Sequence, residues 1–154
     1  MSEKQKTIAL IKSGAVSRGL SGAIIQAILD GTAVKGGERQ TQSKIAIDLA
    51  VSKRLPRAVA EEFYAEHAGR PYFECLIDSV TSDNVIILVL SGDTVIKDWR
   101  TLLGTTNPVV ARQNGEQGIR ALYGTENPGN ADHGSDSPES FLREYAILKP
   151  LLDE

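Results

Sequence analysis

The sequence predicts an α+β fold in which an antiparallel sheet is covered by helices, and three observations carry that expectation. Two apolar runs, Thr7-Ile8-Ala9-Leu10-Ile11 and Val85-Ile86-Ile87-Leu88-Val89-Leu90, are short, continuous and rich in β-branched residues, as buried strands are. Ile45, Ile47, Leu49 and Val51 alternate with Ala46, Asp48 and Ala50, the period-two signature of a strand with one buried face. Between and after these strands, apolar residues recur at helical spacing. A chain of 154 residues is the size of one domain, so residues 1–154 are expected to share one core.

Taken in order, the first strand ends at Lys12 and the turn-like Ser13-Gly14, which leaves the lysine facing a crevice or solvent. Ile24, Ile25, Ile28 and Leu29 then describe a helix that Gly31 is placed to end. Residues 31–42 are small, polar or charged around Gly36-Gly37, a surface loop expected to be mobile. After the alternating strand, Pro56 opens a helix through Val59, Phe63 and Tyr64, and Pro71 opens a second one carrying Phe73, Leu76 and Ile77. The run at 85–90 is expected to be the most buried strand and to end at Ser91-Gly92. Asp93 is a candidate cap for the next helix, whose face is Val95, Ile96, Trp99 and Leu103, with Arg100 on a neighbouring face and Gly104 at the end. Residues 105–118 show little periodicity and read as a long loop, and 124–129 as a second irregular piece. A final helix centres on Phe141, Leu142 and Tyr145, and residues 148–154 carry no assignment.

Composition narrows the function. The formal charge of −3 argues against a dedicated nucleic-acid site, although a local basic cluster can still hold phosphates. One cysteine, Cys75, allows no internal disulfide and no Cys/His zinc constellation, which points to a reducing, cytoplasmic setting. No stretch approaches the roughly 18 apolar residues of a membrane span, so no membrane partner is expected. A Walker-type lysine loop, a metalloprotease His-Glu pair and a kinase glycine loop are all missing from the sequence.

The chemistry concentrates at Asn130-Ala131-Asp132-His133-Gly134-Ser135-Asp136, where one of two histidines sits at a helix entrance. Asp136 or Ser137 can cap that helix, Pro138 suits its first turn, and Glu139 meets the positive end of its dipole. A phosphate arriving at this imidazole would find backbone N–H groups directed toward it. Lys12, Arg100 and Arg120 each stand beside an ordered element, and brought together they would hold a triphosphate without a glycine loop. The other histidine, His67, lies in a helix beside Glu66 and reads as a surface residue with no catalytic assignment.

The heptapeptide matches without a gap the Asn-x-x-His-Gly-Ser-Asp signature of the nucleoside diphosphate kinase family, which the chain therefore resembles. The likeness extends to residues 7–20, to Arg70-Pro71-Tyr72-Phe73 and to residues 100–108, with Ile119-Arg120 and Glu144 in family order. It implies a ferredoxin-like antiparallel four-stranded sheet covered by helices. It also implies a ping-pong transfer in which His133 attacks the γ-phosphate of a nucleoside triphosphate and, as phosphohistidine, phosphorylates a nucleoside diphosphate. Glu144 would orient the ring and Ser135 link to that carboxylate. Lys12, Arg100, Thr106 and Arg120 would surround the phosphoryl oxygens, and Tyr64 would lie near the transferred phosphate. Asn130 and Lys12 fall at the sugar-contacting positions, and Tyr72 replaces the usual phenylalanine as base platform. Mg²⁺ would be held through the nucleotide phosphates, with Asp136 reaching it through water. Family members are homo-oligomers, tetramers or hexamers built from dimers.

Three departures qualify the resemblance. Ser13-Gly14 stands where the family has a Pro-Asp pair after its lysine, so Lys12 is expected to be less preorganised and catalysis reduced. Residues 31–42 look like an insertion, and the loop between Thr106 and Arg120 is a few residues longer than usual. The alternatives are a nucleotide-binding regulatory or interaction protein with weak or lost turnover, and a phosphohistidine carrier serving a protein partner.

Overall fold

A computed structural model describes residues 4–12, 16–34, 36–104, 108–123, 132–134 and 137–153. Four strands form one sheet: β1 (Gln5–Ile11), β2 (Ala46–Lys53), β3 (Val85–Gly92) and β4 (Asp132–Gly134). Their order is β2-β3-β1-β4, and every neighbouring pair is antiparallel, the ferredoxin-like arrangement. The helices are α1 (Ser21–Asp30), α2 (Arg57–Phe63), α3 (Phe73–Thr81), α4 (Val95–Leu103), α5 (Pro108–Gln113), α6 (Ile119–Tyr123) and α7 (Pro138–Leu152), with a 3₁₀ turn at Ala65–His67.

The unbroken apolar runs at β1 and β3 have a physical cause: these central strands are buried on both faces. Ala9 and Ile11 pack with Leu88 and Leu90 beneath α1 and α4, whereas Ile8 and Leu10 pack with Val85, Ile87 and Val89 beneath α2, α3 and α7. Antiparallel sheets commonly leave one face to water, which produces alternation, and among the described residues of β1, β2 and β3 only the edge strand β2 shows it. A register shift between Ile47 and Leu49 bulges that edge at Asp48, whose carboxylate accepts a hydrogen bond from the Ser91 hydroxyl at 3.0 Å.

Four expectations are corrected. The cap of α4 is Thr94, not Asp93. Within the segment read as one long loop, Pro108–Gln113 is helical and Ala111 is buried, because a single turn and a half is too short for a 3.6-residue period to register. The unassigned tail continues α7 to Leu152 through Pro150, and Leu148 and Leu151 close the core there. The histidine stretch includes strand β4, whose three residues are below the length that alternation can reveal.

The root of the 31–42 loop is anchored. Asp98 is buried, and its carboxylate accepts from the amides of Gln42 (2.8 Å) and Ser43 (3.2 Å) and from the Thr94 hydroxyl (2.6 Å). A carboxylate taken out of water is tolerated only when so satisfied. Asp98→Ala is expected to lower the unfolding free energy by about 2–4 kcal/mol, since it strands two amides and a hydroxyl. Urea denaturation checks this, and a loss below about 1 kcal/mol would show that water replaces the carboxylate.

Candidate active site

Ile11 opposes Asp132 and Leu10 opposes His133, so the β1–β4 ladder sets the backbone of the histidine stretch beside the end of β1. Lys12 is the next residue after Ile11. Its side chain is 7% exposed, and its Nζ lies 5.7 Å from the centroid of the Tyr64 ring. Lysine is seldom buried to this degree without an electrostatic reason, and the face of an aromatic ring supplies part of one. Tyr64 is itself 2% exposed and packs edge-on against Phe63, with centroids 4.9 Å apart. The end of α2 thus supplies the wall, and the residue after β1 supplies the cation.

Gly104 links the backbone end of α4 to the side chain of Arg120. Gly104 ends α4 at φ +79°, a region that favours glycine, and its amide donates to the Arg100 carbonyl. Its own carbonyl accepts from Arg120 Nη1 at 3.1 Å, which ties α6 to the end of α4. A Cβ at Gly104 would stand 3.0 Å from a carboxylate oxygen of Glu116. α4 packs on β1 and β4, the strands beside Lys12 and His133, and α6 packs in turn on α4.

Glu144 is 4% exposed on α7, which packs against β1. Of the charged residues described, Lys12, Asp98 and Glu144 are the buried ones, and Asp98 is accounted for by the loop anchor. The helix start is as expected: Ser137 is the N-cap and its hydroxyl oxygen accepts from the Ser140 amide at 3.1 Å, while Pro138 occupies the first turn. Ser13, Gly14, Thr106, Asn130, Ser135 and Asp136 lie outside the described residues, and for His133 the description is of the backbone.

Tyr72 is 36% exposed just before α3, with its hydroxyl 2.6 Å from His67 Nδ1. Simple core packing would bury that ring, and it does not. His67, read as a surface histidine, therefore has a specific partner, and the signal was present only as a spacing of five residues across Gly69. A surface cavity of about 690 Å³ lies elsewhere, between the starts of α4 and α7, bordered by Gln5, Thr94, Lys97, Arg100, Ser137 and Pro138. Of the predicted residues that are described, Arg100 alone reaches it. The cluster around Lys12 and Tyr64 follows from charge burial, not from cavity size.

The fold and this cluster define a ferredoxin-like α+β protein with a buried lysine beside a histidine-bearing strand. A family model described as nucleoside diphosphate kinase matches residues 5–150. The chain is 40% identical over 146 residues to the nucleoside diphosphate kinase of Listeria innocua, covering 94% of this chain and 88% of that one. It is 40% identical over 148 residues to that of Corynebacterium diphtheriae, covering 96% and 98%. The crystal structure of the Aquifex aeolicus nucleoside diphosphate kinase superposes with a TM-score of 0.79 at 31% identity, covering 95% of both chains. This chain belongs to the nucleoside diphosphate kinase family.

Proposed function

We propose that this chain moves the γ-phosphate of a nucleoside triphosphate, typically ATP, to a nucleoside diphosphate through a phosphohistidine at His133. The observation that carries the reading is the β1–β4 register, which sets His133 beside the strand that buried Lys12 directly follows. In the first half-reaction a neutral ring nitrogen of His133 attacks the γ-phosphorus. The bond to the bridging oxygen breaks, and the diphosphate leaves with the electron pair. In the second, a terminal oxygen of another diphosphate attacks the phosphohistidine and the N–P bond breaks, restoring the imidazole. A covalent intermediate lets two large nucleotides use one site in turn.

The protein's contribution is positioning and charge. Lys12, Arg100, Thr106 and Arg120 hold the phosphoryl oxygens, and the buried Lys12 acts there with less solvent screening than a surface cation. Asn130 and Lys12 hold the sugar, Tyr64 backs the lysine, and Tyr72 offers a ring face to the base. Glu144 fixes the ring of His133, with Ser135 linking to the carboxylate. This donor set is cationic, and among the described residues no group of three His, Cys, Asp or Glu side chains gathers to cage a metal. It therefore fits a polyphosphate that brings Mg²⁺ with it, with Asp136 reaching the ion through water. When bound, Mg²⁺ neutralises phosphate charge. The same reading makes the protein one domain over residues 1–154 and a cytoplasmic homo-oligomer of dimers, a hexamer or a tetramer. No helix among the described residues is long and apolar enough to cross a membrane.

The test is a labelling experiment. Intact protein mixed with γ-labelled ATP is expected to gain acid-labile phosphate on His133 and to pass it to GDP and UDP. Nucleotide binding with no label on His133 would turn the reading toward a regulatory protein. Label that leaves only to another protein would make the chain a carrier.

A further inference from the structure

The residues between α2 and α3 fold into consecutive tight turns. His67 N donates to the Tyr64 carbonyl, Arg70 N to His67 and Phe73 N to Arg70, while Gly69 takes φ +85°, a value that favours glycine. This path returns the chain so that Tyr72 meets His67. The Tyr72 Oη to His67 Nδ1 distance is 2.6 Å, and the two rings stand edge to face at 60° with centroids 5.6 Å apart. On its other side His67 lies 6.1 Å from the Tyr64 ring, the ring that carries Lys12 on its face. The Glu66 carboxylate, 3.7 Å from Nε2, favours the tautomer with its proton on Nε2, which leaves Nδ1 to accept the phenol proton.

We propose that His67 is a positioning residue for nucleotide binding: it ties down the Tyr72 hydroxyl so that the ring offers its face, and not its polar tip, to the base. The inference rests on Tyr72 being the base platform. A half-exposed tyrosine has rotamer freedom to lose when a nucleotide binds, and a tether removes part of that cost beforehand. The tether also decides selectivity. A free phenol could bond to a base edge and discriminate among bases, whereas a phenol engaged by His67 leaves only the π-face, which every base accepts. Tyrosine can therefore stand where phenylalanine is usual without narrowing the range of bases.

A double-mutant cycle on the full chain tests this, with transfer from ATP to GDP and UDP as the reaction. His67→Ala is expected to raise KM roughly fivefold for both acceptors while kcat changes less than about twofold, the split of a lost uniform binding interaction. His67→Gln, which keeps an acceptor, restores most of the loss. In a Tyr72→Phe background, His67→Ala has no further effect, because the bond it would break is already gone. Additive losses in the cycle, or a fall in kcat with KM unchanged, would overturn the proposal. ADP affinity by calorimetry runs the same cycle without turnover. If it shows coupling while wild-type protein transfers no phosphate, the proposed function fails and this inference stands. Wild-type protein that binds no ADP removes both.

Discussion

His133→Ala is expected to reduce phosphate transfer from ATP to GDP or UDP by at least about 10⁴-fold, the order of loss when a covalent nucleophile is removed. The same protein should remain folded. His133 enters the sheet through backbone pairing with Leu10, and that ladder does not depend on the side chain it carries. In the proposed reaction the imidazole forms and breaks the bond to phosphorus, so no neighbour can replace it by charge alone. Matched circular dichroism spectra, with no acid-labile label on the variant, would complete the result. A variant that keeps normal transfer would place the nucleophile elsewhere.

Lys12→Met is expected to separate stability from activity. Transfer should fall by about 10²–10³-fold, because an ammonium directed at phosphoryl oxygens stabilises charge that develops in the transition state. Unfolding free energy should change little. Lys12 is 7% exposed, so folding strips its ammonium of water, a cost that its contacts in the fold, the ring of Tyr64 among them, have to offset. Methionine keeps the length and apolar contacts of the lysine stem without the charge. Arginine is not a substitute, since its planar fork needs more room and different donor directions. Urea unfolding and kcat/KM together decide the matter: a variant that loses several kcal/mol, or keeps its activity, would show that the lysine is there for structure. The comparison also bears on Ser13-Gly14. If that turn leaves Lys12 loosely held, restoring a Pro-Asp pair should raise kcat/KM.

The site itself was unevenly legible. The histidine motif is contiguous, so the resemblance found it at once, and it carried Lys12, Tyr64, Arg100, Arg120 and Glu144 along by family order. Their reasons were not visible. Nothing in the sequence around Gly104 announces that one residue takes both the Arg100 and Arg120 contacts. His67 was passed over because a histidine next to a glutamate on a helix is most often solvated, and a bond to Tyr72 depends on a turn at Gly69 that folds the two together.

The sequence alone determined what depends on near neighbours. The apolar runs of β1 and β3, the alternation of β2, the glycine stops at Gly31 and Gly104 and the Ser137 cap follow from periods and dihedral preferences acting within a few residues. The tertiary structure decided what joins distant segments. β4 exists because β1 offers an open edge for three residues that have no strand pattern of their own. Asp98 anchors the amide of Gln42, 56 positions away in the chain, and Lys12 is buried beside a tyrosine from the end of α2. Such contacts leave no local period. They are fixed only when the sheet brings its strand ends together and the loss of water there makes each buried polar group find a partner.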